Sequence, residues 1–357
     1  MPDSFVVARA GDGLVAHFPD VVSLGDGRLL AAFREGTGHL SPEGRISLVG
    51  SEDGGRTWGT PWVAVDGPFD DRDPKLARLA DGTILLSYFV IDWSSKPRHT
   101  THGTFVRRST DGGRTWSEPA SAGMGMSGGG IRAWHASHGA VAELPGGDLL
   151  YPVYGHRADE KWWRAGVMRS VDGGRTWPAE DEVEIAAADG VNFQEPTLTV
   201  LPGGEVVSLI RTDVERAYLS RSTDGGRTWS GPKRTDLPAS SHHALALSDG
   251  TVLVTYGDIS RRFAERRVTA GRLVGAPAGD WDGYPDVLLY DSGNRDQANP
   301  SSAEVSPGRF LTLGFDIPAA TVVGFFTGPS DYREAGPSDY RDAGRPAIEK
   351  PAEPRER

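Results

Sequence analysis

The chain has 357 residues, a formal net charge of −11 and no cysteine. The lack of cysteine excludes disulfide bonds and thiolate chemistry, and the acidic balance argues against nucleic acid or an anionic membrane as the main partner. The first residues lack a basic region followed by a long apolar run, and no transmembrane stretch appears later, so we expect a cytoplasmic protein. Its 47 glycines and 25 prolines favour short strands joined by turns over helices.

An eight-residue motif, Ser-x-Asp-Gly-Gly-Arg-Thr-Trp, occurs four times and ends at Trp58, Trp116, Trp177 and Trp229. Consecutive copies lie 58, 61 and 52 residues apart, which indicates repeated units of about that length. The aspartate can hydrogen-bond the backbone two residues on, Gly-Gly accepts positive φ, and the tryptophan can cover the apolar layer beneath. We therefore interpret each copy as a structural hairpin turn.

A second repeat is a strand–turn–strand hairpin that occurs six times along the chain. Its turn glycines, in chain order, are Gly27, Gly82, Gly147, Gly204, Gly250 and Gly308. Each hairpin is followed by a third strand, and in the first four units the octapeptide then leads into a fourth strand. Six such units predict an all-β fold, a six-bladed β-propeller of four-stranded antiparallel blades.

The last two units lack the octapeptide. In unit five we expect residues 279–283, Gly-Asp-Trp-Asp-Gly, to replace it, while unit six has no fourth strand of its own. Residues 4–8 form the one unassigned strand, so we predict that this N-terminal strand closes the ring in unit six. Residues 1–328 then make one propeller domain, and the charged, Pro-rich residues 329–357 a disordered tail.

Hairpin register places the candidate functional residues at one end of the molecule. Positions equally far before and after a two-residue turn lie side by side, so first strands begin where second strands end, opposite the octapeptides. All nine histidines fall on this rim, with aromatic and charged neighbours, which is typical of a carbohydrate-binding mouth. The candidate residues are His17, Arg34, Glu35, Arg72, Asp73, Trp134, His138, Tyr154, His156, Gln194, Glu195, Arg211, His243 and Asn299.

The octapeptide resembles the Asp box of sialidase-like β-propellers, and four copies at unit spacing make this resemblance specific. It is strongest in unit four, where residues 194–197, Gln-Glu-Pro-Thr, and Arg211 look like the corresponding sialidase stretch. The resemblance implies that Glu195 polarises a catalytic tyrosine. It also implies that Arg211 is one of three arginines that hold a substrate carboxylate, with Arg266 or Arg267 as another.

Three other positions depart from the sialidase pattern. Where the family has Arg-Ile-Pro at the start of unit one, this chain has His17 followed by Phe-Pro. The position of the general-acid aspartate holds Arg34 with Glu35 next, and the position of the nucleophilic tyrosine holds Asn299. The resemblance therefore implies the fold and the roles of unit four, and it leaves the remaining catalytic roles open.

The leading hypothesis is a sialidase-like exo-glycoside hydrolase that acts on an anionic sugar, either sialic-acid-like or uronic. Glycosidases use one protonated and one ionised carboxyl group, and Glu35, Asp73 and Glu195 are the candidates. Arg34 and Arg211 would bind the sugar carboxylate. We expect Arg211 to face an empty anion pocket rather than serve only to neutralise Glu195, its neighbour on the hairpin.

Two other functions stay open. A polysaccharide lyase could use His138, Tyr154 and His156 as base and acid on a uronate polymer. A non-catalytic carbohydrate-binding propeller would explain the missing sialidase positions. The rim histidines match no compact metal-ligand spacing, so we expect neither a metal nor another cofactor.

Overall fold

The computed structural model describes residues 1–94, 99–122 and 132–333, and in these ranges the chain is almost entirely β-structure. Two 3₁₀ helices of three and four residues, Ala179–Asp181 and Pro329–Tyr332, complete the regular structure of the described ranges. None of the helices in this part of the chain has the length and apolar character needed to cross a membrane. The predicted all-β class is confirmed.

The strands, numbered β1 to β25 in chain order, form six antiparallel sheets that follow one another along the chain; sheet 3 has five strands and the other sheets have four. Sheet 1 contains β2 (Val15–Gly25), β3 (Arg28–Gly36), β4 (Gly44–Ser51) and β5 (Trp62–Val65). Sheet 2 contains β6 (Asp70–Arg78), β7 (Ile84–Asp92), β8 (Thr100–Ser109) and β9 (Ala120–Ser121). Sheet 3 contains β10 (Arg132–Ala136), β11 (Ala142–Glu143), β12 (Leu149–Arg157), β13 (Arg164–Ser170) and β14 (Val183–Ala186), with β10 and β11 both paired to β12.

The second half of the chain repeats this plan. Sheet 4 contains β15 (Gln194–Val200), β16 (Val206–Arg211), β17 (Arg216–Ser222) and β18 (Lys233–Pro238). Sheet 5 contains β19 (His242–Ala246), β20 (Val252–Asp258), β21 (Val268–Val274) and β22 (Val287–Tyr290). Sheet 6 contains β23 (Ser301–Ser306), β24 (Arg309–Asp316) and β25 (Thr321–Thr327), and β1 (Ser4–Arg9) adds to β25. One parallel bridge, Gly44 to Asp70, joins sheets 1 and 2.

The six predicted hairpins all form, and their turn glycines have the positive φ that such turns require; Gly204, for example, has φ 89°. In sheet 4 the register pairs Gln194 with Arg211 and Val200 with Val206. In sheet 5 it pairs His242 with Tyr256. The register therefore brings the starts of first strands beside the ends of second strands, as the sequence predicted.

In each octapeptide the aspartate side chain holds the turn together. Asp53 Oδ1 accepts hydrogen bonds from the backbone N–H groups of Arg56 and Thr57, and Asp53 Oδ2 accepts one from Thr57 Oγ1 at 2.6 Å. These bonds lower the pKa of Asp53 to about 2, chiefly through the Thr57 hydroxyl. The same set of bonds recurs at Asp111, Asp172 and Asp224. The predicted structural role of the motif is confirmed.

Each apolar cluster between neighbouring sheets includes one aromatic side chain from the segment that follows a third strand, and we call these six side chains the seam aromatics. The octapeptide tryptophans are the seam aromatics of the first four sheets. In sheet 5, Trp281 is 1% exposed and packs against sheet 4, so residues 279–283 replace the octapeptide as predicted. Between sheets 5 and 6 the aromatic is Tyr332, which packs near Phe310 with ring centroids 6.4 Å apart. The six seam aromatics are Trp58, Trp116, Trp177, Trp229, Trp281 and Tyr332.

The two ends of the chain both contribute to sheet 6. The predicted pairing of the N-terminal strand is confirmed, because β1 pairs antiparallel with β25 from Ser4 opposite Phe325 to Arg9 opposite Thr321. The predicted start of a disordered tail at residue 329 is wrong for its first residues. Pro329–Tyr332 forms a 3₁₀ helix because the Tyr332 ring is buried and its hydroxyl bonds Thr327 Oγ1 at 3.0 Å. Residues 334–357 lie outside the described ranges.

Candidate functional site

Three sheets begin with a β-bulge at the residue before a proline. The strand register shifts between His17 and Asp20, between Arg72 and Lys75, and between Gln194 and Thr197. At the centre of these bulges Phe18, Asp73 and Glu195 have φ values of 52°, 47° and 47°. A positive φ before proline is an unfavourable conformation for these residue types, and such strain is concentrated at functional sites. Bulges re-aim side chains, and here they bring Asp73 and Glu195 into one charged cluster.

Glu195 is the best-anchored carboxylate of this cluster. Arg211 Nη1 donates to its Oε1 at 2.7 Å, and Ser241 Oγ donates to its Oε2 at 2.6 Å. Asn299 Nδ2 in turn donates to Ser241 Oγ at 3.2 Å. Burial would raise the pKa of Glu195, but the charge of Arg211 and the Ser241 hydrogen bond lower that pKa to about 2. Glu195 is therefore an ionised, fixed carboxylate near neutral pH.

Asp73 has the opposite environment. It is 9% exposed, and its Oδ1 is buried with no hydrogen-bond partner among the described residues. Burial raises the pKa of Asp73, and the nearby charge of Glu195 raises it further, against the opposing charges of Arg72 and Lys75. The pKa values of these two neighbouring carboxyl groups are thus shifted in opposite directions, and Asp73 is the one that is more readily protonated.

Arg267 supplies an unpaired cation beside this pair. Its Nε and Nη2 are buried without an acceptor in the described part of the chain. Burial and the positive charge of Arg211 lower the pKa of Arg267 to about 10, so the guanidinium is still charged near neutral pH. The side chain lies close to the backbone of Gly257, where an added Cβ would come within 2.2 Å of Arg267 Nε. A carboxylate is the ligand that such a free guanidinium fits.

His138 and Tyr154 complete the cluster. Burial lowers the pKa of His138 to about 3, so the imidazole is neutral, and its buried Nδ1 has no partner among the described residues. Burial, together with the charges of Glu195 and Asp73, raises the pKa of Tyr154 well above its usual range. The phenol therefore keeps its proton and can act as a donor.

The structure corrects the assignment of Arg34 as a ligand for the substrate carboxylate. Arg34 is fully buried, and its Nε donates to Asp70 Oδ1 at 2.6 Å. Asp70 Oδ2 also accepts bonds from Arg72 Nη1 and Trp93 Nε1, each at 2.9 Å. Arg72 lies over the Phe18 ring and is 5% exposed. Asp70 thus holds both arginines in an internal ion-pair network, and Arg72 contributes mainly charge to the neighbouring Asp73.

The structure also corrects the assignment of Glu35 as a catalytic carboxylate. Glu35 Oε1 accepts from the backbone N–H of Gly11 at 2.6 Å, and Oε2 accepts from Arg45 Nε and Ser47 Oγ. Burial would raise its pKa, but these hydrogen bonds keep the pKa below the usual value. Both oxygens of Glu35 thus bind protein groups, and the carboxylate ties the link between β1 and β2 to β3 and β4.

The remaining candidates from this rim are either buried inside the protein or half-buried at the edge of the cluster. His17 is fully buried beside Asp296, which argues against its predicted contact with a sugar. His243 is half-buried, and its Nδ1 accepts from the backbone N–H of Ser302, so its predicted role in substrate binding stays a prediction. Asn299 is 7% exposed and acts through Ser241, and Gln194 is half-buried opposite Arg211.

An aromatic wall borders the cluster on the side of sheet 3. Trp134 stacks on Trp163 with ring centroids 5.3 Å apart. The same Trp163 ring lies 5.8 Å from Tyr154 and 5.9 Å from His156. Trp134 and His156 are both half-buried, and stacked half-exposed rings of this kind offer a face to a sugar ring.

Four polar residues of this region were not singled out as site residues from the sequence: Asp70, Lys75, Ser241 and Asp296. Lys75 is buried with its Nζ 3.8 Å from Asp20 Oδ1. The sequence offered a way to find Lys75, because it directly follows the proline of a bulge, as Asp20 does in sheet 1. The other three act through contacts between sheets or loops far apart in sequence, which hairpin register alone does not report.

Four Asp-box turns at one end and a cluster of acids and arginines at the other define a protein of the sialidase superfamily. More particularly, residues 27–269 match the model of the BNR repeat-like domain, and the chain belongs to that family. It is 25% identical over 218 residues to a sialidase of Micromonospora viridifaciens, a match that covers 53% of this chain and 33% of that protein. The chain therefore spans about a third of the length of this curated relative.

Solved structures with the same fold include a Dyadobacter fermentans protein of unknown function, with a TM-score of 0.80, 26% identity, and coverage of 92% of this chain and 100% of that one. The Hadza microbial sialidase Hz136 has a TM-score of 0.72 at 19% identity, covering 92% and 69%. The intramolecular trans-sialidase of Ruminococcus gnavus, in complex with oseltamivir carboxylate, has a TM-score of 0.68 at 14% identity, covering 94% and 98%. The last two show likeness of fold alone.

Proposed function

We infer that the six sheets are the blades of a six-bladed β-propeller, with β1 closing the ring. The first strands support this inference, because β2 packs against both β6 and β23, and β15 packs against β19. The six seam aromatics support it as well, since one lies between each pair of neighbouring sheets. In such a ring the first strands surround a central channel, and the acid–arginine cluster lies at its mouth.

We propose that the protein is a glycoside hydrolase that acts on an anionic sugar, sialic-acid-like or uronic. The observation that carries this proposal is the pair of neighbouring carboxyl groups with pKa values displaced in opposite directions, Asp73 upward and Glu195 to about 2. Glycosidases need one carboxyl group that is still protonated and one that is ionised. The relative from Micromonospora viridifaciens, which is named as a sialidase, supports the same reaction class.

In this proposal Asp73 protonates the leaving-group oxygen of the glycosidic bond. Its unpartnered Oδ1 leaves one oxygen free to donate once protonated. The ionised Glu195, held by Arg211 and Ser241, stabilises the positive charge that develops on the sugar ring as the glycosidic bond breaks. A water molecule then bonds to the anomeric carbon and gives its proton to the Asp73 carboxylate, which restores the acid. Glu195 accepts its bond from Ser241 and not from a tyrosine, and the nearby Tyr154 is a protonated donor to a sugar hydroxyl.

Arg267 is the proposed primary ligand of the sugar carboxylate, with the exposed part of Arg211 beside it. The Arg211 side chain is 33% exposed and only its Nη1 is bonded to Glu195. This moves the anion pocket from Arg211, where the sequence placed it, toward Arg267.

The test measures sugar release from a panel of sialosides and uronides. Wild type should release sugar from members of one of these two classes, and Glu195→Gln should reduce the rate by at least about a hundredfold. The matched control is Glu205→Gln, which removes a carboxylate paired with Arg221 at the opposite end of the same sheet. Equal loss in both variants would remove Glu195 from catalysis, and no release by wild type would contradict the hydrolase.

A lyase is the second candidate, because the neutral His138 and the protonated Tyr154 resemble a base and an acid on one sheet. The low pKa of His138 makes it a weak base, so we rank the lyase below the hydrolase. An unsaturated product that absorbs ultraviolet light from a uronate polymer would select the lyase. Saturable sugar binding without any product would instead select a carbohydrate-binding propeller.

A further inference from the structure

A second polar cluster, made of His17, His39 and Asp296, lies beside the acid–arginine site. His17 comes from β2, His39 from the loop after β3, and Asp296 from the loop before sheet 6. His17 Nε2 lies 3.3 Å from Asp296 Oδ2, and His39 Nδ1 lies 3.1 Å from each oxygen of Asp296. One nitrogen from each ring and one carboxylate oxygen all lie within 4.8 Å of one another.

We propose that His17, His39 and Asp296 form a binding site for a divalent transition metal ion of the zinc type. Two imidazoles and a carboxylate are the donors that such ions prefer, whereas calcium and magnesium prefer oxygen ligands alone. Metal–donor bonds of about 2.0–2.2 Å place neighbouring donors roughly 3 Å apart around the ion. The two imidazole nitrogens lie at similar distances, 3.1 and 3.3 Å, from the Asp296 oxygens. Three protein ligands leave at least one coordination position for water or a ligand oxygen.

The surroundings hold these donors in place. His17 is fully buried, and the His17 and His39 rings lie edge to face with centroids 5.7 Å apart. Arg72 Nη1 donates to the backbone carbonyl of His39 at 2.6 Å, and Asn294 Oδ1 accepts from the backbone N–H of Asp296 at 2.8 Å. Supporting bonds of this kind pre-orient a coordinating loop before an ion arrives.

The charges nearby are compatible with a cation. Arg34 is the cation that acts most directly on His17, and Asp70 neutralises it through their 2.6 Å bond. Arg267 is within electrostatic reach of Asp296. The proposed ion therefore lies beside the channel mouth, but its binding does not depend on the hydrolase being correct.

The alternative is a hydrogen-bonded His–Asp–His cluster that holds two loops together without an ion. No metal was expected from the sequence, because the spacings of the rim histidines match no compact ligand motif. The three residues of this cluster escape such a search, since His39 and Asp296 are 257 residues apart and His17 and Asp296 are 279 apart.

The experiment uses the full chain without a polyhistidine tag, stripped with a chelator and dialysed. Zn²⁺ is titrated by calorimetry, and Co²⁺ by visible absorption, because cobalt bound by nitrogen and oxygen donors at low coordination number absorbs strongly in the visible range. We expect one equivalent to bind wild type, and His39→Ala and Asp296→Asn to weaken binding by at least about tenfold. Both changes are at partly exposed side chains, 48% and 35%, so the fold should survive.

The matched control is His102→Ala, which removes an exposed histidine that stacks on Phe69. It should bind both ions as wild type does. No saturable binding by wild type would overturn the proposal and leave the hydrogen-bonded cluster. Equal affinity in wild type, His39→Ala and Asp296→Asn would also overturn it, by showing that the ion binds elsewhere. Thermal melts without metal check that each variant is folded before titration.

Discussion

Asp73 combines a buried oxygen that has no partner among the described residues with a left-handed backbone conformation. Both features cost stability, and strain of this kind fits its proposed role as the acid. Its raised pKa means that the native state binds more protons than the unfolded state above the unfolded carboxyl pKa of about 3.9. Its contribution to the free energy of unfolding therefore falls as pH rises. Asparagine has nearly the same shape and also tolerates this backbone region.

We predict that Asp73→Asn is at least as stable as wild type at pH 7, and that this advantage shrinks as the pH is lowered toward 4. The variant should also lose hydrolysis by roughly 10²- to 10⁴-fold, because asparagine cannot donate an acidic proton. Urea unfolding at pH 4 and pH 7 measures the first effect, and sugar release the second. A marked destabilisation at pH 7 would mean that the Asp73 charge mainly pairs with Arg72 and Lys75.

Arg211 is paired with Glu195, whereas the buried Nε and Nη2 of its neighbour Arg267 have no acceptor among the described residues. Removal of the two side chains should therefore change the free energy of unfolding by different amounts. Arg211→Met leaves Glu195 with one hydrogen bond, so it should lower the free energy of unfolding by about 1–3 kcal/mol, less than for a fully buried pair because Arg211 is a third exposed. Arg267→Met removes an unpaired cation and should leave stability unchanged or higher. In both variants, acidic sugars should no longer raise the melting temperature. An unchanged rise in Arg267→Met would place the anion pocket elsewhere.

Hairpin geometry made part of this site predictable from the sequence. Glu195 and Arg211 flank one turn at matched positions, and the structure joins them at 2.7 Å. The same reasoning placed Arg34 on the right rim but could not show that Asp70 binds it. Register fixes which backbone positions are adjacent, whereas the direction and partner of each side chain depend on contacts between sheets.

At the scale of elements, the seam aromatics show why two units can lack the octapeptide. The Asp box supplies both a turn and a tryptophan, and only the tryptophan reaches the seam. Trp281 and Tyr332 supply that ring from other local structures, a short loop and a 3₁₀ helix. The sequence predicted the first substitution because a tryptophan between Asp-Gly pairs looks like a box, and it missed the second because Tyr332 lies in a polar, repetitive segment.

The C-terminal helix should therefore matter while the residues beyond it should not. Tyr332→Ala removes a ring that is 4% exposed and should lower the free energy of unfolding by about 3 kcal/mol. Deleting residues 334–357 should leave the unfolding transition nearly unchanged, because that segment has few apolar side chains to bury. Urea melts of the full chain and both variants measure this difference. An unchanged free energy of unfolding in Tyr332→Ala would show that sheets 5 and 6 pack together without this ring.

At the scale of the whole molecule, the fold was predictable because it repeats. Six hairpins with matched turn glycines fix the number of sheets, and the one unassigned strand had to pair where a sheet was one strand short. The N-terminal strand β1 covers β25, a strand with the sequence Thr-Val-Val-Gly-Phe-Phe-Thr. An uncovered apolar edge of this kind is a site for pairing with other chains.

The closing strand offers a matched pair of substitutions, because neighbouring residues of a strand face opposite sides. Val7 is 4% exposed and packs in the cluster between sheets 6 and 1, whereas Val6 is 47% exposed. Val7→Asp should lower the free energy of unfolding by at least about 3 kcal/mol and promote aggregation, since it buries an unpaired charge and releases β1 from β25. Val6→Asp should change stability by less than about 1 kcal/mol. Urea unfolding and light scattering measure both effects, and equal behaviour of the two variants would show that the ring does not depend on the docking of β1.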